Sequence, residues 1–263
     1  MIDQVCKVLS INPLAKDIWE MTFSADQLVK IYKGAGQFIE ILGDKTWDHP
    51  LRRPMSISGI TDSTMSIIFK VMGQMTSRFS SLKVNDEINV LGPLGNTFSH
   101  PSENETAILI GGGVGLAPIM NFLNELKSIN NHVLTIIGAR TKDEHHLDHD
   151  PCNGMYLTTD DGSIGDHGTV MPTLDRIINT VKYPKLYACG PEPMLKAVQQ
   201  FGLTHDIPTE LSVESYMGCG VGLCQGCVLK REGPDFAEDS YQKKYTVVCK
   251  DGPVYNAKEI HFD

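Results

Sequence analysis

The chain has 263 residues, of which 41% are hydrophobic and 21% charged, and its formal net charge is −9. An acidic chain without a basic run is a poor nucleic-acid binder, because backbone phosphates attract clustered Lys and Arg. The start of the chain has no basic segment followed by an apolar one, and the apolar stretch at residues 106–120 is too short and glycine-rich to span a bilayer. We therefore expect a cytoplasmic protein that binds neither nucleic acid nor membrane.

The first hundred residues are predicted to form short antiparallel strands. Four β-rich segments are separated by Gly and polar turns: GQFIEIL, MSISGI, MSIIFKV and EINVLG. Short strands at such close spacing are typical of a small barrel or sandwich. We expect residues 91–98 to be a turn-rich exit from it, and residues 1–100 to form a first domain, an antiparallel β-barrel.

From about residue 101, buried strands alternate with helices. An apolar strand, a glycine turn and an amphipathic helix occupy TAILIGGGVGLAPIMNFLNELKSI, and further strands are predicted in VLTIIGAR, GMYLTTD and KLYACG. Helices are predicted in TVMPTLDRII and after the Gly-Pro turn of CGPEPML. This alternation predicts a parallel-sheet α/β domain at residues 101–210. The loop-rich residues 211–263 are predicted to form a small third domain.

Three cysteines and four glycines are concentrated in the segment GCGVGLCQGC. The spacing Cys219-x4-Cys224-x2-Cys227, with Cys249 further along, is that of plant-type [2Fe–2S] sites. Glycines let the backbone wrap closely and point N–H groups at the sulfurs. A structural zinc site is the alternative, although such sites more often use two separate cysteine pairs. We expect these four cysteines to ligate a [2Fe–2S] cluster.

Three further motifs are suited to binding dinucleotides. In LRRPMSIS, Arg53 can hold a pyrophosphate and Ser56 can donate to a ring nitrogen. GGGVGLAP follows a strand and opens a helix, an arrangement that favours phosphates, although Leu116 stands where a G-x-G-x-x-G fingerprint has its last glycine. YACGPEPML places Cys189 at the carboxyl edge of the sheet, where α/β sheets bind ligands.

In this order, R-P-x-S, GGG-x-G-x-x-P and CGP-x-x-M resemble the ferredoxin–NADP⁺ reductase superfamily. The tail, with ESYMGCGVGLCQGCV and VVCKDGPVYNAKEI, is similar to the electron-transfer subunits of dihydroorotate dehydrogenase B. The resemblance covers essentially the whole chain, and the tail is its most discriminating part.

The resemblance implies an FAD-binding barrel, an NAD-binding α/β domain and a [2Fe–2S] domain, with site residues as follows. FAD is expected at Arg53, Pro54, Met55, Ser56, Ile68, Phe69, Lys70, Met75 and Thr76. The nicotinamide nucleotide is expected across Gly111, Gly112, Gly113 and Gly115. The cluster ligands are Cys219, Cys224, Cys227 and Cys249. Ser56, near the flavin N5, and Cys189, near the nicotinamide, are the expected catalytic residues.

The function implied is an electron relay in pyrimidine biosynthesis. Electrons from the FMN of a dihydroorotate-oxidising partner subunit would pass through the [2Fe–2S] cluster to FAD and then as hydride to NAD⁺, in a heterotetramer with two of each chain. The uncharged loop around Met217, Val221 and Leu223 is expected to dock the partner. One alternative is a related NAD(P)H reductase that serves ferredoxin or another redox partner. The other is a zinc-bound interaction module without flavin.

Two details of the nucleotide domain remain open at this point. A 2′-phosphate of NADP would need a basic residue, and Arg140 and Lys142 follow the second strand, but acidic Asp143 and Glu144 come directly after them. The family resemblance implies NAD. His145 and His149 could bind zinc on a helix, but we expect them in a solvated loop.

Overall fold

The structure is a computed structural model that describes residues 1–42, 51–129, 132–233 and 240–262. Six antiparallel strands close a barrel in the order β1–β2–β5–β4–β3–β6, which confirms the barrel predicted from the short strands. They are β1 (Ile2–Ala15), β2 (Ile18–Ser24), β3 (Phe38–Leu42), β4 (Arg53–Ile60), β5 (Thr64–Lys70) and β6 (Glu87–Leu94). Helix α1 (Gln74–Ser81) follows β5. The long β1–β2 hairpin is not among the predicted elements, and β6 continues to Leu94 through part of the expected turn-rich exit.

Strand β3 is buried on both of its faces. Ile39 and Ile41 point into the barrel core, where they pack with Phe23, Met65 and other apolar side chains. Phe38, on the opposite face, belongs to a second core that extends into the C-terminal part of the chain. Because successive side chains of a strand point to opposite faces, β3 forms the wall between the barrel and the C-terminal segment.

The second domain is built on a seven-stranded sheet in the order β10–β9–β8–β7–β11–β12–β15. Six of these strands run parallel, as predicted, and β15 is antiparallel to β12. The parallel strands are β7 (Thr106–Gly112), β8 (Val133–Ala139), β9 (Met155–Thr159), β10 (Asp166–His167), β11 (Pro184–Cys189) and β12 (Thr209–Ser212). The helices are α2 (Leu116–Ser128), α3 (Val170–Ile178) and α4 (Glu192–Thr204).

The C-terminal segment contributes to two sheets. Strand β15 (Val254–Asn256) joins the large sheet, whereas β13 (Val228–Arg231), β14 (Tyr245–Val247) and β16 (Ile260–His261) form a three-stranded sheet in the order β14–β13–β16. Short helices α5 (Tyr241–Lys244) and α6 (Val248–Asp251) flank β14. The predicted boundary between residues 210 and 211 falls within β12. The division into three domains at residues 100 and 210 stays a prediction.

None of the helices in the described part of the chain is both long enough and apolar enough to cross a bilayer.

Candidate functional site

A cavity of about 250 Å³ lies where the barrel, the large sheet and the C-terminal segment meet. Its wall includes Pro54, Met55 and Ser56 from β4 and Ile68, Phe69 and Lys70 from β5. Further wall residues are Phe38, Met72, Thr76, Val114, Cys189, Ser212, Val213, Glu214, Ser215, Met217 and Pro253. Mostly apolar walls with a few polar groups are typical of cofactor sites, which usually occupy roughly 300–1,000 Å³. We name this space the ring cavity, because its size suits the ring system of a flavin better than a whole dinucleotide.

The two predicted catalytic residues, Ser56 and Cys189, line this same cavity from different domains. Cys189 is 2% exposed, at the carboxyl end of β11. Burial, together with the nearby charge of Glu214, raises the pKa of the Cys189 thiol. The thiol is therefore neutral at physiological pH and is suited to packing or hydrogen bonding rather than to acting as a nucleophile.

Two of the positions predicted to bind FAD, Arg53 and Met75, differ from the expectation, whereas Thr76 lies where it was predicted. Arg53 does not line the ring cavity, and its guanidinium donates to the carbonyl oxygens of Leu51 (2.9 Å) and Arg52 (3.2 Å). Met75 points into the barrel core with 6% exposure, so only its backbone can reach a ligand. Thr76 lines the cavity, and its Oγ1 accepts the N–H of Met72 at 2.9 Å.

A second cavity, of about 660 Å³, opens beside the glycine turn at the carboxyl edge of the sheet. We name it the nucleotide cavity. Its wall includes Gly112, Gly113 and Val114, but not Gly111 or Gly115. Gly115 lies behind the wall, where an added Cβ would overlap the carbonyl oxygen of Cys189. Gly112 and Gly113 therefore line the cavity, whereas Gly115 allows the helix to pack closely on the sheet.

Four residues belong to the walls of both cavities: Lys70, Met72, Val114 and Glu214. A flavin ring in the ring cavity and a nicotinamide in the nucleotide cavity would therefore meet at these four residues. Glu214 and Met72 are not identified by the sequence motifs. Glu214 comes shortly after β12, at the carboxyl edge of the sheet, and that position is a signal that could have revealed it.

The outer part of the nucleotide cavity carries the basic residue considered for NADP, Arg140. Its guanidinium already pairs with Glu144, with 2.6 Å between Nη2 and Oε1, and Lys70 Nζ lies 2.8 Å from the same oxygen. Burial alone would raise the pKa of Glu144, but the hydrogen bonds from Arg140 and Lys70 outweigh it and lower that pKa to about 2. With Asp160 also in the wall, this part of the cavity is poorly suited to a 2′-phosphate.

The two histidines considered as zinc ligands are bound to the backbone instead. His145 Nε2 lies 3.1 Å from the carbonyl oxygen of Thr158, and His149 Nδ1 accepts the N–H of Leu157 at 3.0 Å. Both side chains are half-buried rather than solvated as predicted, because their segment packs on β9.

The four cysteines predicted to bind the cluster lie in two pairs. The backbone N–H of Cys224 donates to Cys219 Sγ at 3.4 Å, and that of Cys249 donates to Cys227 Sγ, also at 3.4 Å. Within the described residues, no three or more His, Cys, Asp or Glu side chains converge on a single metal-ion position. Two pairs of thiols match the needs of a two-iron cluster, in which each iron takes two thiolates.

Residues 216–227, which we name the cysteine loop, direct backbone N–H groups at the sulfurs of the predicted cluster ligands. Cys219 Sγ accepts from Leu223 at 3.3 Å and from Cys224 at 3.4 Å, and Cys249 Sγ accepts from Gly222 at 3.1 Å. Burial would raise the pKa of the Cys219 thiol, but hydrogen bonds from the backbone of Cys224, Val221 and Leu223 lower it to about 6. Gly220 and Gly222 have φ values of +67° and +82°, which L side chains adopt with strain. The loop therefore fits a cluster that needs thiolates and N–H donors.

The fold, the two adjoining cavities and the cysteine loop define a flavin- and nicotinamide-dependent reductase of the ferredoxin–NADP⁺ reductase type. A solved structure of an NADH-dependent reduced ferredoxin–NADP oxidoreductase has a TM-score of 0.84 and 25% identity, over 99% of this chain and 91% of that chain. Phthalate dioxygenase reductase shares the fold, with a TM-score of 0.65 and 16% identity over 94% of both chains.

Comparisons of sequence narrow this class. Residues 214–261 match the iron–sulfur cluster binding domain of dihydroorotate dehydrogenase B. The dihydroorotate dehydrogenase B (NAD(+)) electron transfer subunit of Fusobacterium nucleatum is 34% identical over 98% of both chains, and that of Geobacillus thermodenitrificans is 35% identical over 96% of both. The chain belongs to the family of dihydroorotate dehydrogenase B electron transfer subunits. The predicted family, and with it the class of NAD-dependent flavin and iron–sulfur oxidoreductases, is confirmed.

The close packing at the glycine turn generates a first prediction. We expect Gly115→Ala to destabilise the fold by about 3 kcal/mol or more, because its Cβ would overlap backbone atoms of Cys189. Gly113→Ala is the matched control, since no atom of the described residues lies within 4 Å of the Cβ it would add and only the positive φ of +56° is unfavourable. That strain costs roughly 1–2 kcal/mol. Chemical denaturation measures both effects, and equal losses in the two variants would contradict the packing argument.

Proposed function

We propose that this chain relays electrons between an FMN-bearing, dihydroorotate-oxidising partner subunit and NAD⁺, as a step of pyrimidine biosynthesis in the cytoplasm. When bound, FAD supplies the conversion between single electrons and a hydride. The chain's own residues hold the carriers in order: the cysteine loop holds the cluster, the ring cavity the flavin, and the nucleotide cavity the NAD⁺. The residues that the family resemblance predicts for FAD, for the nicotinamide nucleotide and for the cluster are proposed for these roles. Met75 would contribute only its backbone, and Gly111 and Gly115 would act by allowing close packing behind the cavity wall.

The observation that carries this proposal is the continuity between the ring cavity and the cysteine loop. Met217 lines the cavity, and Cys219 follows shortly after it in the chain. Pro253, which comes shortly after Cys249 in the chain, lines the same cavity. A cluster held by these cysteines would therefore lie next to the flavin ring, and an electron need not cross a third protein segment.

The partner is proposed to dock on the exposed tip of the cysteine loop. Tyr216 is 97% and Leu223 is 82% exposed, whereas Met217 and Val221 are half-buried and pack against the core. Exposed apolar side chains beside a redox centre favour a docking surface. The names of the curated relatives describe a subunit, which supports a catalytic partner, and a heterotetramer with two of each chain is our proposal for the assembly.

A second candidate is a reductase that exchanges electrons with ferredoxin or another redox protein. The full-length structural match to an NADH-dependent reduced ferredoxin–NADP oxidoreductase favours it. Purification from the native source separates the two functions, because only the first requires a co-purifying FMN subunit that oxidises dihydroorotate.

The cofactor content is the direct test of the proposed carriers. We expect about one FAD, two irons and two acid-labile sulfides per chain, because a [2Fe–2S] cluster needs the four thiolates that the cysteine loop and Cys249 provide. Extraction with quantification of flavin, iron and sulfide measures this, together with the visible spectrum. A colourless protein that contains zinc, or FMN in place of FAD, would contradict the assignment.

Replacing one cluster ligand should separate the cluster from the flavin. We expect Cys224→Ser to lose the cluster and to retain FAD, because Cys224 is exposed and does not line the ring cavity. NADH should still reduce the flavin of this variant in a stopped-flow experiment. Loss of flavin and cluster together would contradict this expectation and show that FAD binding depends on the assembled cluster.

A charge at the tip of the loop should block the partner without affecting NADH oxidation. We expect Leu223→Glu to abolish dihydroorotate-dependent NAD⁺ reduction in the presence of the partner, because the charge would be buried on docking. Reduction of an artificial dye by NADH should stay near the wild-type rate. Val84→Glu is the matched control, since Val84 is also apolar and 55% exposed but lies on the barrel. Equal loss of both activities in Leu223→Glu, or loss of neither, would exclude docking at this tip.

A further inference from the structure

A buried carboxylate lies beneath the cysteine loop. Glu40 is in the middle of β3, is 1% exposed, and alternates with Ile39 and Ile41, which face the barrel core. Its side chain therefore points away from the barrel. Neither Oε1 nor Oε2 has a hydrogen-bond partner among the described residues. Because a buried ionisable group without a partner is costly, such a residue calls for a physical explanation.

The nearest cations are engaged elsewhere. The Arg52 guanidinium donates to the backbone oxygen of Glu40 at 3.4 Å, to that of Asn89 at 3.2 Å, and to the Asp3 carboxylate at 3.0 Å. The Arg53 guanidinium donates to backbone oxygens. These charges act on the Glu40 carboxylate from a distance, but within the described ranges no ion pair neutralises it.

The carboxylate of Glu40 packs directly against Gly220, the residue that follows Cys219. A Cβ built on Gly220 would lie 2.7 Å from both Cγ and Oε1 of Glu40. Burial is the largest influence on the pKa of Glu40 and raises it, against the opposing charge of Arg52, to about 7. The Glu40 carboxylate therefore lies beside the residue that directly follows Cys219, close to the position proposed for the cluster.

We propose that Glu40 tunes the reduction potential of the cluster, its negative charge disfavouring the addition of an electron and so holding the potential low. The inference rests on the proposed binding of the cluster by the loop, and it deepens that function. Glu40 is not a ligand, because four thiolates complete the coordination of two irons. It acts through its field, which is strong where burial reduces solvent screening. A lower potential favours onward transfer of electrons towards NAD⁺.

The test is a potentiometric titration of the intact, cofactor-loaded protein, followed by electron paramagnetic resonance of the reduced cluster. It is carried out at alkaline pH, where the Glu40 carboxyl carries its charge. We expect Glu40→Gln to shift the midpoint potential of the cluster to a more positive value, with iron and sulfide content unchanged. Glu40→Met, which is also uncharged and of similar length, should shift it in the same direction. Glu87→Gln is the control, since Glu87 is an exposed acid on the neighbouring barrel strand β6 and should leave the potential unchanged.

The outcomes separate this inference from the function on which it rests. An unchanged cluster potential in both Glu40 variants, or an equal shift in Glu87→Gln, would overturn the role of Glu40. Failure of both Glu40 variants to assemble a cluster, with FAD retained, would also overturn it, because Glu40 would then be structural. If only one of the two Glu40 variants assembles the cluster, the cluster potential of that variant alone tests the role of Glu40. A wild-type protein without iron and sulfide would instead refute the proposed function itself.

Discussion

The antiparallel pairing of β12 with β15 is the contact on which the arrangement of the redox sites depends. It aligns Leu211 with Tyr255 and Ser212 with Val254. Between these two strands the chain passes through the cysteine loop and then through Cys249 before it returns to the same sheet edge. The pairing therefore brings Cys249 back to the other three cysteines, although it lies far from them in sequence. It also places both ends of this segment beside the ring cavity, whose wall contains Ser212 and Pro253.

A second set of contacts holds the barrel against the large sheet. The backbone N–H of Lys16, at the barrel hairpin, donates to the carbonyl oxygen of Asp143 at 2.8 Å. Lys70, at the end of β5, pairs with Glu144 in the same turn. On the other side of the interface, Tyr32 accepts a hydrogen bond from Asn121 at 2.7 Å. These contacts join the barrel and the large sheet at separate points, so the shared walls of the two cavities have a defined geometry. Direct hydride transfer between two bound rings requires such a geometry.

The parts of the fold that could be predicted are those with local signals. Closely spaced short strands, glycine turns and the cysteine spacing are properties of neighbouring residues, and they indicate the barrel, the parallel sheet and the cluster loop. The β1–β2 hairpin is hard to predict because Pro13 interrupts its pattern, and proline in a strand usually marks an edge or an irregularity. The family resemblance predicts Met75 at the flavin, but Met75 and Phe79 lie four residues apart on the buried face of α1, so the Met75 side chain packs into the barrel core.

The remaining features depend on contacts between distant segments. Glu40 is an ordinary acid in a strand pattern, and nothing in GQFIEIL indicates that its outward face is covered by residue 220. Met72 and Glu214 join the two cavities only because the barrel and the sheet edge meet there. Such positions follow from the tertiary arrangement, which local periodicity does not encode.

The double burial of β3 has a consequence for how this chain can be divided or recombined. Phe38 and Leu94, both barrel residues, belong to the same apolar core as Cys227, Val248 and Tyr255 of the C-terminal segment. The side chain of Asn96, just after the barrel, donates to the backbone oxygens of Asp251 and Val254 and accepts the N–H of Val254. A barrel cut from its tail would expose this apolar face to water. The iron–sulfur tail is thus not a cassette that can be exchanged freely between reductases, and an exchange would have to carry the matching face of the barrel with it.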